Sequence, residues 1–400
     1  MTVLGDSDPV IASDGAWLAF RRAVSAVTSE IYLQSLSAGF MASGEPQKLR
    51  SFCGAVTLAS IPGESSIIFS SGPAMSDYLR LWRMPIPGSS PAPIRLSGAQ
   101  GGVFPSMAKS GRLVFQKSHT EIGVWRVDLS TPTRAAGPPQ RAYNLSPLRG
   151  DHSVQFSPDG SRIVFSSNRS GANEIWTADV EGRNAEQLTE LRAFSGSPRW
   201  SPDGQWIAFD SNKDCAWHVY TIPAIGGKPR RLILGSSGED SPTWSPNGKS
   251  IYYAAGPKGG GYNIWSIPFE GGVPHQVTTE GAHRSVVSID GKTLYYTRGD
   301  RETLWLSPVA VRQPTKLGDF SINNSEFVLG HEGIYFLDTT GTETGASLKY
   351  LDLGSRVVTT IMQISRRPAQ GLSLSPNGRT LLWSQVERDS SDLMFADNIR

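Results

Sequence analysis

The chain has 400 residues, 38% of them hydrophobic, with 38 Lys+Arg against 36 Asp+Glu and a formal net charge of +2. Its basic runs, Lys228-Pro229-Arg230-Arg231 and Arg366-Arg367, are short, so no nucleic acid is expected to bind through this chain. No stretch of about 18 apolar residues offers a membrane span. Met1–Asp6 lacks the basic and apolar regions of a signal peptide, which points to the cytoplasm if Met1 is the natural start. Cys53 and Cys215 stand in different parts of the chain, argue against a disulfide-stapled class and specify no redox compartment.

Along the chain a tight-turn signal returns nine times, at Asp14-Gly15, Pro62-Gly63, Ser110-Gly111, Asp159-Gly160, Asp203-Gly204, Asn247-Gly248, Asp290-Gly291, Glu332-Gly333 and Asn377-Gly378, about 42–49 residues apart. An apolar pair follows in step at Ile31-Tyr32, Leu81-Trp82, Val124-Trp125, Ile175-Trp176, Val219-Tyr220, Ile264-Trp265 and Leu304-Trp305. A further apolar residue follows at Leu49, Leu96, Leu145, Leu188, Leu232, Val277 and Leu317. Each unit reads as a four-stranded antiparallel meander whose faces are buried only against neighbours like itself. The units cover about 6–51, 52–98, 99–147, 148–190, 191–236, 237–280, 281–320, 321–364 and 365–400.

These registers predict an all-β chain, a single β-propeller over 1–400 with nine blades, or eight if one degenerate unit is not a blade. The last unit has three strand signals. Thr2-Val3-Leu4-Gly5 resembles Thr315-Lys316-Leu317-Gly318 and is expected to supply the missing strand near Leu393, closing the ring and hiding a sheet edge.

The motif Ser-Pro-Asp-Gly followed by Ile-Val-Phe and Ile-Trp resembles the TolB-type, WD40-like propeller repeat family over the whole chain, best in 148–280. The tail is similar in a narrower way. Leu374-Ser375-Pro376-Asn377-Gly378, Leu381–Val386, Ser391–Met394 and Asn398-Ile399-Arg400 resemble the propeller half of CadC-type winged-helix bacterial regulators. The resemblance implies a sensory or interaction module. No segment of this sequence matches the winged helix, so DNA binding is not carried over.

In a propeller the first strand of each blade lines the central channel, and the connections opposite the Asp-Gly turns share its mouth. Residues seven or eight before the turn Asp or Asn then stand at that mouth: Asp6, Asp151, His152, Glu239, Asp240 and His283. The loops between second and third strands add Arg169, Lys213, His218 and Lys258. Acids, imidazoles and basic loops in one rim suit a protein or peptide partner, or a small ligand. Asp6, Asp8 and Asp151 are the oxygens on which Ca²⁺ would draw, but spacing does not bring six donors together, so no metal or other cofactor is expected. Gly259-Gly260-Gly261 lacks the Lys-Ser/Thr of a phosphate loop, His331-Glu332 lacks the second His of a zincin, and no Gly-x-Ser-x-Gly occurs. The leading expectation is a non-enzymatic binding propeller. The alternatives are the sensor domain of a winged-helix regulator and a metal-dependent hydrolase or lyase at the channel mouth.

Overall fold

A computed structural model describes residues 5–25, 28–54, 57–72, 79–88, 90–94, 101–142, 150–233, 238–256, 261–298, 303–310, 313–320, 322–342 and 344–397. Among these every regular element is a strand. Thr2–Leu4, Leu96, Leu145, Lys258 and Asn398–Arg400 lie outside the described residues. Five of the nine predicted turns are hairpins of one design. In Ser157–Arg162, Gly160 takes φ 72° and its N–H donates to Ser157 O, while the Ser161 N–H donates to Asp159 Oδ1 and the Arg162 N–H to Ser157 Oγ. Ser201–Trp206, Ser245–Ser250 and Ser288–Thr293 repeat these bonds, with their glycines at φ 69–72°. Ser375–Thr380 follows the same pattern.

The chain separates into two compact units, the first made of 1–120, 212–216 and 389–400 and the second of 121–211 and 217–388. In the first unit Asp6–Ile11, Trp17–Ser25, Thr28–Ser37 and Met41–Cys53 form one sheet. Leu58–Ser60, Ser66–Ser71, Arg80–Pro85 and Ala92–Pro93 form the next. Ala19, Ile31, Ile67 and Phe69 belong to the apolar cluster that joins them. A second cluster sets Ile68 and Leu81 against Leu113, Phe115 and Met394. Gly5 O accepts a bond from the Ala23 N–H.

Cys53 and Cys215 are joined by a disulfide, with a Cα–Cα distance of 5.1 Å across 162 residues of sequence. This corrects the reading of the two as unstapled. Cysteine spacing carries no information about approach in space, and the segment Asn212–Ala216 that bears Cys215 belongs to the first unit.

Among the described residues the second unit has six sheets. Their innermost strands are Asp151–Phe156, Ser195–Trp200, Gly238–Trp244, Ser285–Val287, Ile322–Leu329 and Pro368–Leu374. Six apolar clusters alternate with the six sheets. One lies between each sheet and the next, for example Val164 and Ile175 against Ile207 and Phe209. Tyr335 and Leu348 meet Leu381 and Trp383 between the fifth and sixth. The last cluster sets Val124 and Leu382 of the sixth sheet against Val154 and Phe165 of the first, which closes a ring.

The nine repeats make eight sheets among the described residues, seven of four strands and one of six. Repeats three and nine share the six-stranded one. In both, the expected second and third strands run on without a turn, as Leu113–Thr131 of 19 residues and Thr380–Ala396 of 17 residues. Each polar middle, Ser118–Glu121 and Glu387–Asp392, has no Gly, Pro or Asn to reverse the chain. The two long strands pair with each other, and in each the chain passes from one unit to the other. Thus Thr380–Ala396 lies between Leu113–Thr131 and Pro368–Leu374; the predicted pairing of Thr2–Gly5 near Leu393 falls on Thr2–Leu4, outside the described residues.

Five of the six innermost strands change register part-way. The shifts fall between His152 and Gln155, Gly196 and Arg199, Asp240 and Thr243, Ile322 and Phe327, and Pro368 and Leu372. At four of them one residue is left-handed: Ser153 at φ 56°, Ser197 at 47°, Ser241 at 53° and Gly371 at 125°. These are β-bulges, which free one peptide from the ladder and turn it toward the next sheet.

Two substitutions separate turn strain from crowding at a bulge. Gly204→Ala is expected to cost about 1–2 kcal/mol, the penalty for a Cβ in the left-handed region. A Cβ on Gly371 would also lie 2.8 Å from Ser153 N and Cα, so Gly371→Ala is expected to cost more than Gly204→Ala in urea unfolding. Equal losses would show that the sheets do not meet at Gly371. Alkylation of the denatured, unreduced chain is expected to find no free thiol, and two after reduction. Loop closure over this separation stabilises by up to about 5 kcal/mol.

Candidate functional site

Bulged strands present polar groups to their neighbours, and in the second unit those contacts run around the ring. The Trp200 N–H donates to Gln155 Oε1 at 2.8 Å, joining sheets one and two. The Ser241 N–H donates to Asp210 Oδ2 at 2.9 Å, joining two and three. His283 Nε2 stands 3.1 Å from Asp240 Oδ1 between three and four. Arg284 Nη1 stands 2.7 Å from Glu326 Oε1 between four and five. The Leu372 N–H donates to Glu326 Oε2 at 3.2 Å, and the Phe156 N–H donates to Ser373 Oγ at 3.1 Å, which returns to the first sheet.

Seven of the nine residues predicted for the site belong to this unit. Asp151 is buried and paired with Arg169 at 2.8 Å, whose guanidinium also lies over Phe165 and Trp176. His152 is held between two partners. Asn173 Nδ2 donates to its Nε2, so its Nδ1–H donates to Ser153 Oγ, and the ring stacks on Phe194. Burial pushes this imidazole down to about 4. His218 Nδ1 and Glu239 Oε2 form a buried pair at 2.6 Å. Asp240 and His283 face each other as above, with Tyr262 edge-on to the His283 ring at 5.3 Å.

Asp6 and Lys213 belong to the first unit. Asp6 is bound by Arg22 at 2.7 Å, and Lys213 is exposed. Asp8, the third oxygen considered for Ca²⁺, is paired with Arg21 at 3.0 Å. Each of those three carboxylates is thus matched by an arginine. Among the described residues no group of three or more His, Cys, Asp or Glu is arranged to hold a metal ion.

Sequence reasoning did not find Asp210, Arg284 or Glu326. Asp210 closes a second strand, where alternation leaves its side chain free to turn inward, and no spacing rule marks it. Arg284 follows His283 directly and was passed over because only the seventh and eighth positions before the turn were considered. Glu326 sits in a unit whose turn, Glu332-Gly333, is shortened, so its register was lost.

Asp210 and Glu326 are both acids of the ring that burial holds above their ordinary value. Burial first, and then the charge of Asp240, push the Asp210 carboxyl up from 3.8 to about 7. The groups that face it are Asp240, His283, the Ser241 N–H and Ser197. Two carboxylates, one buried behind a more open one, with an imidazole beside them, can share a proton or close on a cation.

Residues 170–337 match the family model of the Tricorn protease N-terminal beta propeller domain. The Tol-Pal system protein TolB of Anaeromyxobacter dehalogenans is 34% identical over 101 residues, which is 22% of this chain and 23% of that protein. A TolB homolog of Chlorobium chlorochromatii is 49% identical over 39 residues, 10% of this chain and 9% of that protein. The structure of a putative TolB from Agrobacterium tumefaciens superposes with TM-score 0.55 at 17% identity, covering 67% of this chain and 99% of that one. These likenesses, to Tricorn-type and TolB-type propellers, support a β-propeller fold. A propeller of this type explains the ring of six sheets and the repeated turn. The matches span less than a quarter of the curated relatives' length, and at 17% identity the structural likeness shows the fold alone.

The Asp210 carboxyl makes a pH prediction. The folded chain holds its proton more tightly than the unfolded chain, so this group's contribution to stability falls as pH rises from about 4 to about 7. His152 acts the other way. Its folded value of about 4 lies below 6.5, so its contribution rises with pH across that window and masks part of the Asp210 effect. The difference between the native chain and Asp210→Asn isolates the carboxyl. Relative to the variant, the native chain is expected to lose about 1 kcal/mol per pH unit between about 4 and 7, and nothing further above. A pH-independent difference in urea titrations would show that Asp210 is an ordinary acid.

Proposed function

We propose that the chain is a binding module without catalytic chemistry of its own, and that a protein or peptide partner docks at the mouth of the second unit's ring. The observation that carries this reading is that aromatic rings stand against the candidate site residues: Phe194 stacks on His152 and meets Trp217, and Tyr262 stands edge-on to His283, which faces Asp240. Phe194 and Trp217 meet edge to face at 5.5 Å; Phe194 precedes the innermost strand Ser195–Trp200 and Trp217 the third strand of that sheet, His218–Pro223. Large amphipathic rings around a polar centre suit recognition of a peptide. The relatives' designation as Tol-Pal system proteins supports a role among protein partners.

A metal-dependent hydrolase or lyase has less support, because Asp6, Asp8 and Asp151 are each matched by an arginine. The Cys53–Cys215 disulfide supports a working place where thiols are oxidised, since such bonds persist in oxidising compartments.

The test is site-specific photocrosslinking in the native cell. A photoreactive side chain in place of Tyr262 is expected to capture a partner, and one in place of Gln205, beside the Asp203-Gly204 turn on the other face, is not. Capture from Gln205 alone, or from both positions alike, would move the partner off the mouth.

A further inference from the structure

The charge ledger of the mouth is uneven. Asp151 is met by Arg169, Glu239 by His218 and Glu326 by Arg284. Asp210 and Asp240 are met by no ammonium or guanidinium among the described residues; their ionic neighbour is His283, at 3.1 Å from Asp240 Oδ1. The hydrogen-bond ledger is uneven at the same place. Asp240 Oδ1 and both ring nitrogens of His283 are buried atoms without a hydrogen-bond partner, although His283 as a residue is only 9% exposed. Buried polar atoms are normally satisfied, so a donor or acceptor is missing here. The Asp240 side chain is 17% exposed and that of His283 11%, so each keeps part of its surface in solvent while Asp240 Oδ1 and the ring nitrogens themselves are covered; Asp210 is 3% exposed. The Tyr262 ring stands edge-on to His283 at 5.3 Å.

We propose that the mouth takes a cationic side chain, the guanidinium or ammonium of an Arg or Lys on the partner, against the Asp240 carboxylate. This rests on the reading of the mouth as the docking face and names the group that enters it. A guanidinium can meet the exposed part of the Asp240 carboxylate, and its flat face suits Tyr262. The nearby Arg284 does not oppose this, because its charge is matched by Glu326 at 2.7 Å. An anion would have to displace that pair and meet two carboxylates.

The probe is Nα-acetyl-arginine amide, followed by the imidazole NMR signals of the full chain, with the His283 signal assigned by its loss in His283→Gln. A saturable shift of the His283 signal is expected. Nα-acetyl-citrulline amide, the uncharged isostere, and acetate are expected to cause none. Asp240→Asn is expected to weaken binding at least ten-fold, and Asp240→Glu to restore most of it, with both variants unfolding near the native midpoint. An equal response to citrulline, a response to acetate, or unchanged affinity in Asp240→Asn would overturn the proposal. So would loss of binding in Asp240→Glu as complete as in Asp240→Asn. If the arginine probe fails while Tyr262 still crosslinks a partner, only the cationic class falls. If Tyr262 also fails to crosslink, the docking face falls with it.

Discussion

The architecture depends on what happens to one peptide in most of the innermost strands. A strand in a closed ring must sit against its own sheet partner on one side and against two neighbouring sheets at its ends. A regular ladder spends every N–H within the sheet. The bulges at Ser153, Ser197, Ser241 and Gly371 release a peptide from that ladder. A left-handed serine at such a bulge costs on the order of 1–3 kcal/mol, which Gly371 avoids. The cost is offset where the turned N–H finds an acceptor across the gap, as Ser241 does at Asp210. The same device occurs in the first unit, where Phe104 at φ 50° donates its N–H to Thr57 Oγ1. The acceptor must come from a side chain, because the neighbouring backbone is already committed. Polar residues are therefore built into the wall of the channel, and the inward placement of Asp210 and Glu326 follows from backbone geometry.

Much of this fold was legible because its information is local. Asp-Gly and Asn-Gly between apolar pairs determine a hairpin within six residues, and the Ser157–Arg162 bonds show why: Ser, Asp and Gly each satisfy a different backbone demand. Repeats four to seven obey that grammar and become four-stranded sheets. Repeats three and nine obey it only at their first turn. What happens next depends on a missing reversal, and two strands separated by some 250 residues find each other instead, as Thr120 and Asp389 do through a hydrogen bond at 3.2 Å. Period counting sees nine similar stretches and cannot see that two of them share a sheet. The disulfide was hidden for the same reason, since proximity of Cys53 and Cys215 is a property of the folded chain.

The site was read from register, which says nothing of pairing. Counting back from the turn selects Asp151, His152, Glu239, Asp240 and His283 as candidates; the strands that begin at Asp151, Ser195 and Gly238 start at similar distances before their hairpins, whereas the one that begins at Ser285 starts closer to its own. The same count said nothing of what each side chain would meet. Asp151, His152 and Glu239 turn out to be occupied by Arg169, Asn173 and His218. Three of the five are thus committed to holding the mouth in shape. Asp240 and His283 face each other at 3.1 Å, and Asp240 Oδ1 and both ring nitrogens make no hydrogen bond.

That division has a physical consequence for recognition. A buried ion pair such as Arg284–Glu326 contributes little net stability over an apolar pair, yet breaking it leaves an uncompensated charge at a cost of several kcal/mol. Such pairs therefore act as rigid walls that a ligand does not enter. An open carboxylate backed by a second one, in contrast, is a place where the chain already bears an electrostatic penalty that an incoming positive charge removes. The walls and the opening come from the same bulged strands: Ser241, next to Asp240, is the residue whose turned N–H binds Asp210 and holds the two acids together. The strain that shapes the ring and the charge that suits it to a cationic partner thus arise at one peptide.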